Sequence, residues 1–220
     1  SVAKLMSGFG RAYFQDVVKR GERPKELWSA LREAGFLGVH IPEAFGGGGG
    51  GMSEYQIIVE EVAAHGCPLL QMVINSICAP IIAAHGSETL KREWLPGIAS
   101  GERRISFGIT EPDAGTNTHK VSTTARRTLD GWLLQGAKYW TSAIDEADAV
   151  LVVARDADMS TPERSALSLF VVPADAPGLS WHQIDSALMV PEKQFFTFYD
   201  DVRLNPDSLI GEAGKGLKQV

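Results

Sequence analysis

Cysteine is scarce in this sequence, with only Cys67 and Cys78 among 220 residues. Neither has a second cysteine or a histidine at the spacing of a metal-ligand pair, so the sequence indicates no metal site. No signal peptide is visible in the first residues either. These absences favour two buried thiols in a reducing compartment, and we expect a cytoplasmic protein.

Long apolar runs and an excess of positive charge are also missing. No apolar run approaches the ~20 residues of a membrane-spanning helix. The formal net charge is −6 and the pI is near 5.4, whereas nucleic-acid-binding proteins normally present a basic face. We therefore expect neither a membrane span nor a nucleic-acid partner. These values still allow an anionic ligand held by backbone N–H groups and a few cations.

The first hundred residues predict helices. PKELWSALREAG, residues 24–35, has Leu27 and Leu31 on one stripe and a glycine at its end, as is typical of an amphipathic helix. A second helix is predicted to begin at a capping box formed by Ser53 and Gln56.

Two further predicted helices contain prolines. LLQMVINSICAPIIAAHG is apolar on nearly all sides, which predicts a buried helix that Pro80 kinks or divides. Another helix should begin at a Ser87 cap, and Pro96 should interrupt it.

After residue 104 the pattern changes to short apolar and β-branched runs separated by turns. The seven runs are ISFGIT, VSTTARRTL, WLLQGAKYWT, AVLVVAR, LSLFVVP, LSWHQI and KQFFTFYDDVRL. Asp130–Gly131 stands between two of them and predicts a tight hairpin. We therefore predict an α+β protein, with a helical domain over residues 1–104 and an antiparallel β barrel or sandwich over residues 105–210.

Six consecutive glycines occupy residues 46–51. They fit G-x-G-x-x-G trivially, but a dinucleotide-binding loop also needs a parallel βαβ unit and an acidic residue about 20 positions further on. The next segments predict helices, and no acidic residue lies between Glu61 and Glu88. We interpret the run as a flexible connector to the second helix.

The segment TEPDAGTNTHK, residues 110–120, combines two carboxylates with turn-forming residues. Glu111 and Asp113 could form a catalytic pair, the segment could be an ordinary turn, or its backbone could hold a ligand. Its proline and glycine favour an irregular turn that leaves the N–H groups of residues 113–117 without strand partners. Such groups must bind water or an anion.

A second segment, KYWTS at residues 138–142, places an aromatic pair before two hydroxyl side chains. Aromatic rings offer flat faces to a flat heterocycle, and hydroxyls can hydrogen-bond its ring nitrogens. Alone, neither segment is specific, because tryptophan in a strand is usually part of the core.

In this order, the two segments resemble the acyl-CoA dehydrogenase family. ELWSALREAGFLGVHIPEAFGGGG, LPGIASGE, FGITEPDAGTNT, GWLLQGAKYWTSAIDEADAVLVVAR and FYDDVRLNPDSLIGEAGKGLKQV all resemble that family's pattern. The resemblance covers nearly the whole chain. One segment departs from it, since SALMVPEKQFFTFYDD lacks the Met-Gly-x-Arg pattern common in relatives.

The resemblance implies FAD, held in an extended form by the β domain. The cofactor-binding residues that it implies are Phe107, Ile109, Thr110, Gly115, Thr116, Trp140, Thr141 and Ser142. Thr116 also matches a position that contacts the acyl-CoA substrate, and Ser142 matches one whose hydroxyl reaches flavin N5. Glu111 and Asp113 then become turn-forming residues rather than a catalytic pair.

The resemblance also implies a reaction and partners. The reaction is α,β-dehydrogenation of an acyl-CoA thioester, in which a base removes the α-proton while hydride passes to FAD. In relatives the base is a glutamate of a third, helical domain. Residues 211–220 resemble the start of that domain, so we expect no catalytic base before Val220. Electron-transfer flavoprotein is the expected electron acceptor, and the full protein is expected to form a homotetramer or dimer.

Two alternatives stay open from the sequence. The chain could belong to an oxidase or monooxygenase of the same fold, which would consume oxygen without an acceptor protein. It could also belong to a non-catalytic partner subunit that binds flavin or acyl-CoA, which would lack a downstream glutamate base.

Overall fold

The structure is a computed structural model that describes residues 2–161 and 165–220. Within these residues, six α-helices come first in the chain. They are α1 (Val2–Met6), α2 (Arg11–Lys19), α3 (Lys25–Glu33), α4 (Met52–Ala64), α5 (Leu70–His85) and α6 (Glu88–Ser100).

Eight β-strands follow in the same described part of the chain. They are β1 (Ile105–Gly108), β2 (Thr124–Thr128), β3 (Gly131–Ser142), β4 (Ala149–Asp156), β5 (Leu167–Pro173), β6 (Leu179–Ile184), β7 (Gln194–Leu204) and β8 (Leu209–Ile210). A helical region followed by a sheet confirms the predicted α+β class.

All eight strands belong to one sheet. Its order is β6-β7-β3-β2-β4-β5-β8, and β1 pairs with β4 outside that path. The predicted hairpin is present, since β2 and β3 are antiparallel and Thr128 lies opposite Gly131. The prediction of a purely antiparallel sheet is wrong, because β1 and β2 both run parallel to β4. Parallel pairing needs a long crossover, and the segment from residue 109 to residue 148 provides it for β1.

The helix starts show one correct and one wrong prediction. Ser87 caps α6 as predicted, because its hydroxyl accepts a hydrogen bond from Leu90 N at 3.2 Å. The Ser53 capping box is wrong. The N-cap of α4 is Gly51, two residues earlier, and Glu54 Oε2 accepts a hydrogen bond from Gly51 N at 2.7 Å.

The two internal prolines do not end their helices. Pro80 lies inside α5 and Pro96 inside α6, and both helices continue to the residues given above. The predicted interruption at Pro96 is therefore wrong, as is the division at Pro80. Both helices bury much of their surface against each other and against the sheet, and this packing outweighs the loss of one backbone hydrogen bond.

The hexaglycine run does not form a free connector. The N–H groups of Gly48, Gly49 and Gly50 donate to the carbonyl oxygens of Gly38, Ile41 and Val39 at 2.8–3.0 Å. The run is therefore held against the preceding turn, which corrects its interpretation as flexible.

Strand β1 lies where the helices meet the sheet. Ile105 is fully buried in a cluster that also contains Ile82, Trp94 and Leu151, which come from α5, α6 and β4. A second cluster fills the other face of the sheet around Trp132 and other large side chains. The segment after β1 is therefore positioned by both halves of the chain.

Cys67 and Cys78 are free and buried, as predicted. Burial raises the pKa of both thiols. None of the described helices is both long and apolar enough to cross a membrane. In residues 2–161 and 165–220, no group of three or more His, Cys, Asp or Glu side chains is placed to hold a metal ion.

Candidate functional site

A buried ion pair anchors the turn that follows β1. Lys138 Nζ lies 2.7 Å from Glu111 Oε1 and also donates to the carbonyl oxygen of Ile109 at 3.1 Å. The two charged side chains are 0% and 3% exposed. Because Lys138 comes from the middle of β3, the pair ties the turn to the sheet.

Glu111 has no free capacity for proton transfer. Its Oε2 accepts from Ser122 N and Ser122 Oγ, both at 2.6 Å, and its Oε1 also accepts from Thr123 N at 2.9 Å. Burial alone would raise the pKa of Glu111, but hydrogen bonds from Lys138 and Ser122 lower it to about 2. Burial lowers the pKa of Lys138 to about 8 against the pull of Glu111. Both groups are thus charged at neutral pH.

The backbone of the turn is only partly bonded to itself. Glu111 and Ala114 exchange two backbone hydrogen bonds of 3.0 and 3.1 Å, so the expectation of a free N–H group is wrong for Ala114. Within the described part of the chain, the N–H group of Asp113 has no hydrogen-bond acceptor, and neither do those of the consecutive residues Gly115, Thr116 and Asn117. These three residues are exposed. Successive unpaired N–H groups in a turn suit an anion.

Strand β3 carries a bulge next to this turn. Lys138 pairs with Thr197 and Thr141 pairs with Phe195, so β3 has one extra residue in this interval. Trp140 adopts φ 60°, in the left-handed region that non-glycine residues rarely occupy. It is 45% exposed, so one side of the indole is open to a ligand.

A backbone hydrogen bond connects the turn to the bulge. Tyr139 N donates to the carbonyl oxygen of Thr110 at 2.8 Å. The tyrosine ring packs edge-on against Trp140, with ring centroids 4.9 Å apart. The end of the β1 segment therefore lies beside the exposed indole.

Ser142 ends β3 and is held from two directions. Its hydroxyl lies 2.8 Å from Gln194 Oε1, to which it donates, and its carbonyl oxygen accepts from Ser106 Oγ at 2.8 Å. The side chain is half-buried. The strand end is therefore fixed, while the hydroxyl can change acceptor by rotation about one bond.

The two halves of the chain match known domains. The acyl-CoA dehydrogenase N-terminal domain matches residues 1–102, and the acyl-CoA dehydrogenase middle domain matches residues 106–198. The chain belongs to the acyl-CoA dehydrogenase family.

Individual acyl-CoA dehydrogenases are similar over nearly all of the chain. FadE12 of Mycobacterium tuberculosis (strain ATCC 25618 / H37Rv) is 46% identical over 221 residues, which cover 100% of this chain and 57% of FadE12. The structure of a glutaryl-coenzyme A dehydrogenase with glutaryl-CoA has a TM-score of 0.91 at 30% identity, covering 99% of this chain and 56% of that one. A glutaryl-CoA dehydrogenase from Mycobacterium smegmatis in complex with FADH2 has a TM-score of 0.82 at 27% identity, covering 96% and 54%. The chain thus spans just over half the length of these proteins.

The structure brings most of the residues that the acyl-CoA dehydrogenase resemblance implied into one region. Thr110, Trp140 and Ser142 lie where the β1 segment meets β3, and Gly115 and Thr116 lie in the exposed turn. Phe107 and Ile109 are half-buried and pack against the core shared with α5 and α6. Thr141 differs, because it is fully buried and its hydroxyl lies 3.2 Å from that of Thr197. Its side chain is not part of the exposed group.

Sequence reasoning about this acyl-CoA dehydrogenase chain missed two residues. Lys138 is an even number of residues from the buried residues Trp132 and Leu134 in β3, so it is expected on the same face of the strand. An inward-facing lysine needs a carboxylate partner. Gln194 gave no signal of its own, since it lies in the segment that departs from the family pattern. Its contact with Ser142 depends on the pairing of β3 with β7.

Proposed function

We propose that the protein binds FAD where the 110–117 turn meets the bulge of β3, and that it takes part in α,β-dehydrogenation of an acyl-CoA. One juxtaposition carries this proposal. Three unpaired N–H groups follow a buried anchor, and the Tyr139–Thr110 hydrogen bond holds the same segment beside the exposed Trp140. Anion-binding and ring-binding groups are thus neighbours, as an extended flavin nucleotide requires.

The residues present fit FAD by the chemistry of their donors. The N–H groups of residues 115–117 and the Thr116 hydroxyl would hold the pyrophosphate, because each of them can donate a hydrogen bond to a phosphate oxygen. The indole of Trp140 would pack against the flavin ring. Thr110 would contact the pyrimidine edge, and Phe107 and Ile109 would line the approach.

When bound, FAD supplies a two-electron acceptor for the hydride that leaves the β-carbon of the substrate. The chain's contribution is orientation and one hydrogen bond. The Ser142 hydroxyl would leave Gln194 and donate to flavin N5, where it favours the electron-rich form of the ring. Glu111 is not the base that removes the α-proton, since its oxygens are occupied and its pKa is about 2.

Family membership supports the proposed substrate and partners. An acyl-CoA thioester is the proposed substrate, with Thr116 contacting its CoA portion. The support is the glutaryl-CoA bound by the similar glutaryl-coenzyme A dehydrogenase. Electron-transfer flavoprotein is the proposed electron acceptor, and the full protein is proposed to form a homo-oligomer.

Flavin titration tests the proposal. FAD added to the apo form of the full protein should bind with one-to-one stoichiometry and quench tryptophan fluorescence. The Trp140→Phe variant should lose most of that quenching. An acyl-CoA should then bleach the bound flavin without oxygen. Failure to bind FAD would refute the proposed site, and bleaching followed by rapid oxygen consumption without an acceptor protein would favour the oxidase alternative.

A further inference from the structure

The Glu111–Lys138 pair connects three separate segments of the chain. The Glu111 carboxylate joins its own strand end to the N–H groups of Ser122 and Thr123. It therefore closes the loop of residues 111–123 at its base. Lys138 adds a connection to Ile109 and to β3. The three unpaired N–H groups of residues 115–117 lie inside the loop that this pair closes.

Lys138 also lies directly before the bulge, two residues from Trp140. Lys138 is the last residue paired with β7 before the bulge, Trp140 lies within the bulge, and pairing resumes at Thr141. The same ammonium group therefore fixes the distance from the loop base to the exposed indole.

We propose that Glu111 and Lys138 are positioning residues, which hold the anion-binding loop at a set distance from the Trp140–Ser142 segment. The inference rests on the proposed FAD site and extends it. Neither side chain contacts the ligand. Their role is to let one molecule reach the loop N–H groups and the indole together.

Comparison of two flavins separates positioning from general stability. Riboflavin has the ring but no phosphate, so it uses the bulge and not the loop. In the full apo protein, Glu111→Gln should weaken FAD binding by roughly tenfold, the usual effect of breaking one charged, buried hydrogen-bond network. Riboflavin affinity should change less than about twofold. A variant that is merely destabilised would lose both affinities in parallel.

A purely electrostatic effect of Glu111→Gln would change the FAD affinity in the opposite direction. Glu111→Gln removes a negative charge and leaves Lys138 unpaired, which would strengthen binding of a pyrophosphate. Asp113→Asn is the matched control, because it removes the same charge from an exposed position of the same turn. Asp113→Asn should leave FAD binding equal or slightly tighter, whereas Glu111→Gln should weaken it.

The double variant Glu111→Gln, Lys138→Met keeps the inference testable if the single variant folds poorly. Replacing both members of a buried ion pair is often tolerated where removing one is not. The double variant should regain the melting temperature of the parent. Its ratio of FAD affinity to riboflavin affinity should still be several-fold lower than that of the parent. Equal FAD-to-riboflavin ratios in the parent and both variants would overturn the inference. If the parent itself bound no FAD, the proposed function would fail instead.

Discussion

The hexaglycine run and the 110–117 turn use glycine and backbone N–H groups in opposite ways. All six glycine N–H groups of residues 46–51 have acceptors: the carbonyl oxygens of Glu43, Pro42, Gly38, Ile41 and Val39, and the carboxylate of Glu54. The turn contains one glycine, and the N–H groups of residues 115–117 have no acceptor in the described part of the chain.

The difference shows what makes a backbone segment able to bind an anion. A glycine-rich sequence lets other groups come close to its backbone, but the protein's own carbonyl groups can then accept the hydrogen bonds of its N–H groups. In the 46–51 run, such carbonyl groups hold the glycine backbone against the preceding turn. In the 110–117 turn a buried ion pair supplies the order, which leaves the N–H groups available. The availability of donors, rather than the number of glycines, distinguishes the two segments.

The largest expected effect is at Gly47. An added Cβ would lie 2.0 Å from the carbonyl oxygen of Ile41, a distance that the backbone must move to relieve. We expect Gly47→Ala to lower the free energy of unfolding by about 3 kcal/mol or more, measured by chemical denaturation. The fraction that folds should bind FAD with unchanged affinity. Reduced affinity in that fraction would contradict the separation of the two segments.

Acid should weaken the 110–117 turn before the glycine run. The pKa of Glu111 is about 2 in the folded protein, well below its ordinary value of 4.5. The ionised Glu111 therefore contributes up to about 3 kcal/mol to the free energy of unfolding. This contribution is fully present above about pH 4.5 and is lost as the pH falls towards 2. After correction for the intrinsic pH dependence of amide exchange, the protection of the hydrogen-bonded amides in residues 111–123 should therefore be lower at pH 3.5 than at pH 6, and the protection of residues 46–51 should change less.

Glu111→Gln is the control for that pH dependence. It removes the titrating group, so the protection of the hydrogen-bonded amides in residues 111–123 should be low at both pH 6 and pH 3.5. If the variant kept the pH dependence of the parent, another carboxylate would be responsible.

Gly115→Ala is the counterpart of Gly47→Ala. No atom lies within 4 Å of a Cβ added at Gly115, and its φ is not in the left-handed region. We expect little change in the free energy of unfolding. FAD affinity should fall by roughly tenfold to hundredfold, since a methyl group would crowd the bound pyrophosphate. Isothermal titration with FAD measures it, and unchanged affinity would remove Gly115 from the site.

Local patterns predicted the elements that depend on neighbours in sequence. The stripe of α3, the Ser87 cap and the Asp130–Gly131 hairpin all follow from short spacings. Two of the wrong predictions depend on distant contacts. The parallel pairing of β1 with β4 joins residues about forty positions apart, and the continuity of α6 through Pro96 depends on packing.

The candidate site shows the same division. The turn and the KYWTS segment were visible as motifs, and resemblance to a family gave them a common ligand. The Lys138–Glu111 pair joins β3 to the turn after β1, residues that are far apart in the sequence, so no short spacing could give it. The exposure of Trp140 depends on a bulge, and the sequence contains no glycine there to indicate left-handed backbone.

Trp140 sharpens the contrast between the two segments. In the glycine run, left-handed backbone occurs at Gly46 and Gly49, where it involves little strain, whereas β3 places a tryptophan at φ 60°. Trp140→Gly relieves ~1–2 kcal/mol of strain while it removes a half-exposed ring. We therefore expect a free energy of unfolding within about 1 kcal/mol of the parent value. FAD should bind several-fold more weakly, since aromatic stacking contributes ~0.5–1.5 kcal/mol.

Trp140→Phe provides the matched comparison. It keeps a flat ring and a non-glycine residue in the left-handed region, so it should keep most of the FAD affinity and should not relieve the backbone strain. If Trp140→Gly bound FAD as tightly as Trp140→Phe, the indole would have no role in binding.

The smallest expected effect concerns chemistry rather than binding. Ser142 donates to Gln194 in the flavin-free protein, and the proposed function has it donate to flavin N5 instead. Ser142→Ala should slow flavin reduction by roughly threefold to tenfold, the value of one neutral hydrogen bond of ~0.5–1.5 kcal/mol that matters more in the transition state than in the ground state. FAD affinity should change less, because the bond to Gln194 is lost on binding anyway. Ser142→Thr keeps the hydroxyl and should keep the rate of flavin reduction.

Gln194→Leu removes the competing acceptor, so its rate of flavin reduction should equal or exceed that of the parent in single-turnover measurements. A slower Gln194→Leu variant would mean that the glutamine holds Ser142 in its working orientation, and the hydroxyl would then act without changing its acceptor.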